Sequence, residues 1–228
     1  MKSIFPLITF FLLTEALFAQ QSKCCIPLEN GKDTAFWYKW SQENIAKNGL
    51  PNLYKTIDSL HFRFRTQNQI IDIWTDDFNY FNGTVTNYTT AVPDGNQRKG
   101  EGKFYSETKM IESRTTKLID EIFNSLGIFN VPPQSDIVGW EDGSDGGIVI
   151  IECSTPTKYS FKSYWTPSYF KNIKEAITID SLSKTLNAML AQGYSWANFL
   201  DRLPKGCYTN DGAFLVCTDI PIKRKKRR

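Results

Sequence analysis

The sequence predicts an α+β fold: an antiparallel β-meander packed with two to four α-helices in a single domain. Three observations carry this expectation. Residues 61–112 switch to a two-residue hydrophobic period, whereas 113–126 and 180–192 carry apolar faces at helical spacing. Strands come grouped, and helices then mix with one later hairpin, without repeats or a Pro/Ser-rich linker.

Taken in order, the chain opens on an export leader. Lys2 gives a minimal positive start, and Ile4, Phe5, Leu7, Ile8 and residues 10–13 form the apolar run. Leu17-Phe18-Ala19 before Gln20 reads as the cleavage site. Glu15 ends the run well short of the roughly 20 apolar residues that a membrane helix needs. Gln21-Ser22-Lys23 before Cys24 does not fit a lipoprotein signal. The expectation is a signal peptide over 1–19, a domain over 20–222 and an exported product, periplasmic or extracellular, with no transmembrane span after cleavage.

A helix is expected from residue 33 or 34. Phe36, Trp37, Trp40 and Ile45 share a stripe, Asp33 or Thr34 can cap its start, and Gly49 can end it. The aromatic stripe reads as core packing in preference to a ligand platform. His61-Phe62-Arg63-Phe64-Arg65 then alternates strictly, placing the Phe rings on one face and the cations on the other. That cationic face is read as a solvated outer surface in preference to an anion site. Residues 69–75 and Tyr80-Phe81 continue the pattern. Asn82-Gly83 is expected to make the hairpin turn into a return strand over 84–90. Residues 94–100 read as a loop and 103–111 as a further strand. Asn82-Gly83-Thr84 and Asn87-Tyr88-Thr89 match the glycosylation pattern.

The most convincing helix is 113–126. Leu118, Ile119, Ile122, Phe123 and Leu126 face inward, Ser113 or Thr115 caps it, and Gly127 stops it. Residues 147–154 and 158–165 form a hairpin about Thr155-Pro156. A helix over 180–192 turns Leu182, Leu186, Met189 and Leu190 inward and stops at Gly193. A shorter helix over 195–203 and a strand over 213–218 complete the chain.

Composition narrows function by exclusion. Apolar residues at 41% and charged ones at 22% are ordinary for a globular chain. The formal charge is +3, yet residues 223–228 are all Lys or Arg, so the remainder carries −3. A nucleic-acid-binding surface spread over the fold is therefore not expected. The basic 223–228 tail could instead touch an anionic surface. His61 is the only histidine and no C-x₂-C pair occurs, so neither a metal site nor a cofactor is implied. A serine hydrolase would lack the G-x-S-x-G elbow. A restriction-type nuclease would lack the Lys after Glu152, and a Cys153–His61 pair has nothing to recommend it. Cys207 and Cys217 flank an Asn-Asp-Gly turn signal and are the expected disulfide, contributing roughly 2–3 kcal/mol. Cys24 or Cys25 could pair with Cys153, a choice that spacing leaves open.

One segment stands apart: Trp140-Glu141-Asp142-Gly143-Ser144-Asp145-Gly146-Gly147, then Glu152, Tyr159 and Tyr164-Trp165-Thr166-Pro167. Over residues 140–167 it resembles a segment of uncharacterised exported bacterial proteins, and the resemblance implies a hairpin module without a known activity. The glycines read as residues for tight-turn conformations. Asp142 and Asp145 do not make an EF-hand loop. Glu152 is expected opposite Tyr159, at the hairpin end, reaching water or the turn backbone. The candidate ligand-binding residues are Trp140, Asp145, Glu152, Tyr164 and Trp165, and no catalytic residue is assigned. The expected function is a non-catalytic exported protein that binds a partner or ligand at the cell envelope. A hydrolase using carboxylates such as Asp145 and Glu152 is the alternative.

Overall fold

A computed structural model of the chain describes residues 23, 28–29, 33–93, 102–210 and 214–218. The leader, Cys24, Cys25, the 94–100 loop and the basic tail lie outside the described residues. The expected α+β architecture is present. A two-stranded ribbon, β1 (Leu28–Glu29) and β2 (Asp33–Thr34), leads into α1 (Phe36–Lys47). The meander follows as β3 (Leu60–Arg65), β4 (Gln69–Thr75), β5 (Asn82–Ala91) and β6 (Phe104–Met110). Helix α2 (Ser113–Ser125) then crosses back to the hairpin of β7 (Ile148–Ser154) and β8 (Tyr159–Trp165). Helices α3 (Lys174–Leu190) and α4 (Gln192–Asp201) precede a last hairpin, β9 (Gly206–Asn210) and β10 (Phe214–Thr218).

β3 to β10 form one antiparallel sheet in which β7 pairs with β3, so the late hairpin extends the early meander. β6 lines the other edge of β5, and β9 joins β5 at Thr90 and Ala91, past the end of β4. One face of the sheet, with Phe62, Phe64, Ile71, Ile73 and Ile151, packs on Ile119, Phe123, Ile179, Leu182 and Leu186 of α2 and α3. Each such side chain, fully buried, contributes about 1.5–3 kcal/mol.

The opposite face is not solvated. α1 and the residues after it lie across it, so His61, Arg63 and Arg65 are all buried, with 3% exposure or less. Tyr38 of α1 meets Tyr159 and Phe161 edge-on there, at centroid separations of 6.2 and 5.3 Å. Alternation along β3 separates two faces but carries no information about which of them a distant helix will cover.

Local details also depart from the sequence reading. Asn82-Gly83 is not the hairpin turn, because both residues already belong to β5 and pair with Trp74 and Ile73. The reversal is made by residues 76–81, where the Asp77 carboxylate accepts the Asn79 and Tyr80 backbone N–H groups and Phe78 takes a φ of 60°. Gly83 is required for proximity instead, since a Cβ there would crowd Thr116 of α2 and the Asp72 carbonyl. Asn87 is buried and bonded to Gln69 and Ser195, which leaves no room for a sugar on the folded chain. Neither α1 nor α2 has a side-chain cap. Asp33 and Thr34 are engaged in β2, and Ser113 donates to the Phe81 carbonyl. Leu118 is half exposed, and the buried stripe of α2 is Thr116, Ile119 and Phe123. Helix α3 starts six residues earlier than expected. The β-branched run 177–179 reads against a helix, yet Ala176 and Ile179 extend the stripe of Leu182 and Leu186. Gly193 does not stop it: Ala191, at φ 46°, breaks the helix, and α4 begins at once.

Candidate functional site

Two arrangements of polar and aromatic side chains stand out, and both lie on the α1 side of the sheet. The first is a buried ion network. Arg63 Nε and Nη2 donate to the two oxygens of Asp72 on the neighbouring strand, at 2.6 and 3.2 Å, in a bidentate fork. Nη2 also donates to the Pro51 carbonyl at 3.0 Å, and Nη1 lies 3.5 Å from Glu152 Oε2. Tyr159 Oη donates to Glu152 Oε1 at 2.6 Å, and Gln42 Nε2 of α1 reaches the same oxygen at 3.2 Å. His61 stands between Asp58 (2.8 Å) and Asp72 (3.5 Å). Burial by itself would raise the Asp72 carboxyl. The Arg63 charge, with the Arg63 hydrogen bonds and the nearby His61 ring, outweighs it and holds the group below its ordinary 3.8. Burial first, and then the Glu152 charge and hydrogen bond, push the Tyr159 hydroxyl far up, so it remains a donor.

Glu152 therefore does not reach water. It is 0% exposed and pairs across the strands with Phe161, while Tyr159 reaches it along the diagonal from its place opposite Ser154. Lys23 is tied in beside this layer, donating to the Leu53 and Thr56 carbonyls and to Ser154 Oγ. Cys153 and His61 project from opposite faces of the sheet, because the register sets His61 against Ser154 and Phe62 against Cys153. Burial pushes the Cys153 thiol up to about 12, far from the range of a reactive thiolate.

The second arrangement is open. At the sheet end, where β3 turns into β4, a cleft of about 260 Å³ lies between α1 and the 143–146 turn. Trp37, Trp40 and Trp165 line it together with Phe36, which is 60% exposed. Arg65 and Asn210 contribute buried polar groups. The Arg65 guanidinium lies 3.9 Å from the centroid of the Trp40 ring, and its Nε donates to Tyr88 Oη at 3.1 Å. A second concavity of about 470 Å³ shares Trp37, Gly143, Ile148 and Trp165 with the first and adds Gln134, Trp140 and Ser163.

Trp165 joins the two concavities, and its position is specified from several sides. Its carbonyl accepts Trp140 Nε1 at 2.9 Å and its N–H donates to Gln134 Oε1 at 2.5 Å. The turn glycines pack flat on its indole: a Cβ on Gly143 would overlap the ring, and one on Gly146 would overlap Thr166 Oγ1 and touch the indole. Gly143 and Gly147 do not have positive φ, so close approach to Trp165 is the requirement at Gly143. Thr166 just beyond takes a φ of 39°, a strained conformation for a β-branched residue, and its hydroxyl accepts the Gly147 N–H.

The five sequence-predicted site residues do not form one site. Trp140 and Trp165 share the larger concavity. Tyr164 is buried in the main core on the opposite face from Glu152 and bonds the Pro132 carbonyl. Asp145 is exposed in the turn. Sequence reading missed Gln67 and Asn210 as cleft residues. Trp37 and Trp40 carried a visible signal, the aromatic stripe, and prove to serve both packing and the cleft wall. Cys207 and Cys217 stand directly opposite each other on β9 and β10 with their sulfurs 2.05 Å apart, the disulfide that their spacing predicted. Among the described residues, no group of three or more His, Cys, Asp or Glu could hold a metal ion. Among them, too, no helix is long and apolar enough to cross a membrane. No protein-family model matches the chain, and no curated protein matches it either.

Proposed function

We propose that the protein is an exported, non-catalytic binding protein that takes its ligand in the cleft between α1, the 143–146 turn and Trp165. The observation that carries this reading is the convergence of Phe36, Trp37, Trp40 and Trp165 on one concavity beside two buried polar groups. Mostly aromatic walls with a few fixed polar groups are the usual make-up of a small-ligand site. Export is supported by the leader pattern in residues 1–19 and by the Cys207–Cys217 bond, which persists in oxidising compartments. The basic 223–228 segment would add contact with an anionic envelope surface, at about 1 kcal/mol per charge. The hydrolase reading has little to support it, because a general acid must reach substrate, whereas Glu152 is enclosed and Asp145 is on the exposed turn.

Titration of tryptophan fluorescence against envelope extracts and small-molecule fractions tests the reading. A binding fraction should shift the emission of the wild-type chain and lose that effect in Trp165→Ala. A saturable ligand that binds Trp37→Ala and Trp165→Ala as tightly as wild type would place the site elsewhere.

A further inference from the structure

We propose that the ligand is a neutral pyranose oligosaccharide lying along both concavities; this rests on the cleft being the binding site. The two spaces share the Trp37 and Trp165 side chains, so they are successive compartments of one groove, not separate pockets. Together they fall in the range of about 300–1,000 Å³ typical of small-ligand sites. An elongated groove suits a ligand built from repeated units.

The lining specifies the chemistry of each unit. A pyranose presents a C–H-rich face and a rim of hydroxyls. Indole faces accept the first, and side chains that can both donate and accept hydrogen bonds match the second. The polar lining is mainly of that kind: Gln67, Ser144 and Asn210 in one compartment, and Gln134, Ser135 and Ser163 in the other.

Asn210 narrows the choice further. It is 3% exposed, and its Nδ2 donates at 3.0 Å to both the Gln67 and Tyr88 carbonyls. Its amide is thereby oriented, and among the described residues its Oδ1 has no donor. A buried acceptor without a donor is costly. A ligand hydroxyl supplies the donor, whereas a carboxylate, a phosphate or an acyl chain does not. The charged groups lining the two compartments are already engaged: Asp142 accepts from Gln134 at 2.7 Å, Lys162 donates to the Phe129 and Val131 carbonyls, and Arg65 donates to Tyr88 Oη and lies against the Trp40 ring. None then demands a charged ligand.

The experiment is calorimetry and tryptophan fluorescence on the secreted chain with β-1,4-glucohexaose, α-1,4-glucohexaose and β-1,4-N-acetylglucosamine hexamer. The corresponding disaccharides and hexadecanoate are run beside them. At least one hexamer should bind, at least tenfold more tightly than its disaccharide. Trp37→Ala and Trp165→Ala should weaken it at least tenfold and Asn210→Ala several-fold, while Trp165→Phe keeps most of the affinity and Phe78→Ala, outside the groove, keeps all of it. Near-ultraviolet circular dichroism confirms that each variant is folded. Hexadecanoate binding that Trp165→Ala abolishes, with no hexamer bound, would overturn the saccharide assignment and leave the cleft as the site. No probe sensitive to Trp37→Ala or Trp165→Ala would overturn both.

Discussion

Arg63, Asp72 and Glu152 have 0–3% side-chain exposure, and Arg63 donates to Asp72 and to the Pro51 carbonyl and lies beside Glu152. Its commitments offset part of the cost of covering a sheet face with this much charge, while Arg63 Nη1 and Glu152 Oε2 make only the 3.5 Å ion pair. Burying ions costs several kcal/mol each, and the cost is offset only where geometry and hydrogen bonds are complete. Arg63→Ala strands two buried carboxylates, and a loss of about 3–5 kcal/mol in urea unfolding is expected. Replacing Arg63, Asp72 and Glu152 together by apolar residues of similar size should recover most of that loss. A single variant that unfolds like wild type would mean that water screens the network.

At the scale of elements, the 143–146 turn and β8 act as one unit, because glycine contact with the indole positions Trp165. Gly143→Ala should displace the ring, weakening ligand binding at least tenfold while the melting temperature falls only slightly; titration and a thermal melt distinguish the two effects. The β9–β10 hairpin is a second unit. Its disulfide closes a short loop at Cys207↔Cys217, and β9 carries Asn210 to the cleft. Reduction, or replacement of both cysteines by Ser, should cost roughly 2–3 kcal/mol. In ligand titration it should also weaken binding, because the β5 contact of β9 is only two residues long.

Across the whole molecule, the ion network fastens α1 and residues 51–58 to the sheet through Gln42, Pro51 and Asp58. The pH dependence of stability follows. Asp72 has a folded pKa below its unfolded value of about 3.9. Its contribution is therefore present above pH 4 and is lost as pH falls through the folded pKa. Asp77, held down by the backbone N–H groups of Asn79 and Tyr80, acts in the same sense from the surface. Asp120, raised by burial and by Glu121, acts in the opposite sense. Urea unfolding from pH 7 to pH 2 should show stability falling below pH 4, and Asp72→Asn should flatten that fall. An unchanged acid limb in Asp72→Asn would remove the group from the account.

The sequence by itself determined the strands of the meander, the 148–165 hairpin, the presence of the main helices and the Cys207–Cys217 pair. All of these rest on period, turn chemistry or near-neighbour spacing. It signalled that residues 140–147 and Trp165 were unusual, but not that the glycines exist to lie on the indole. Tertiary structure alone decided that α1 returns over the cationic face, which converts a surface expected to be wet into a paired, buried layer. It also decided that Glu152 and Tyr164, twelve residues apart on paired strands, project to opposite sides of the sheet and share no pocket. The cleft combines residues 36, 37, 40, 65–67, 143, 144, 146, 148, 150, 165 and 210. Local sequence encodes how each strand alternates. Only the packing of distant segments decides what each face meets.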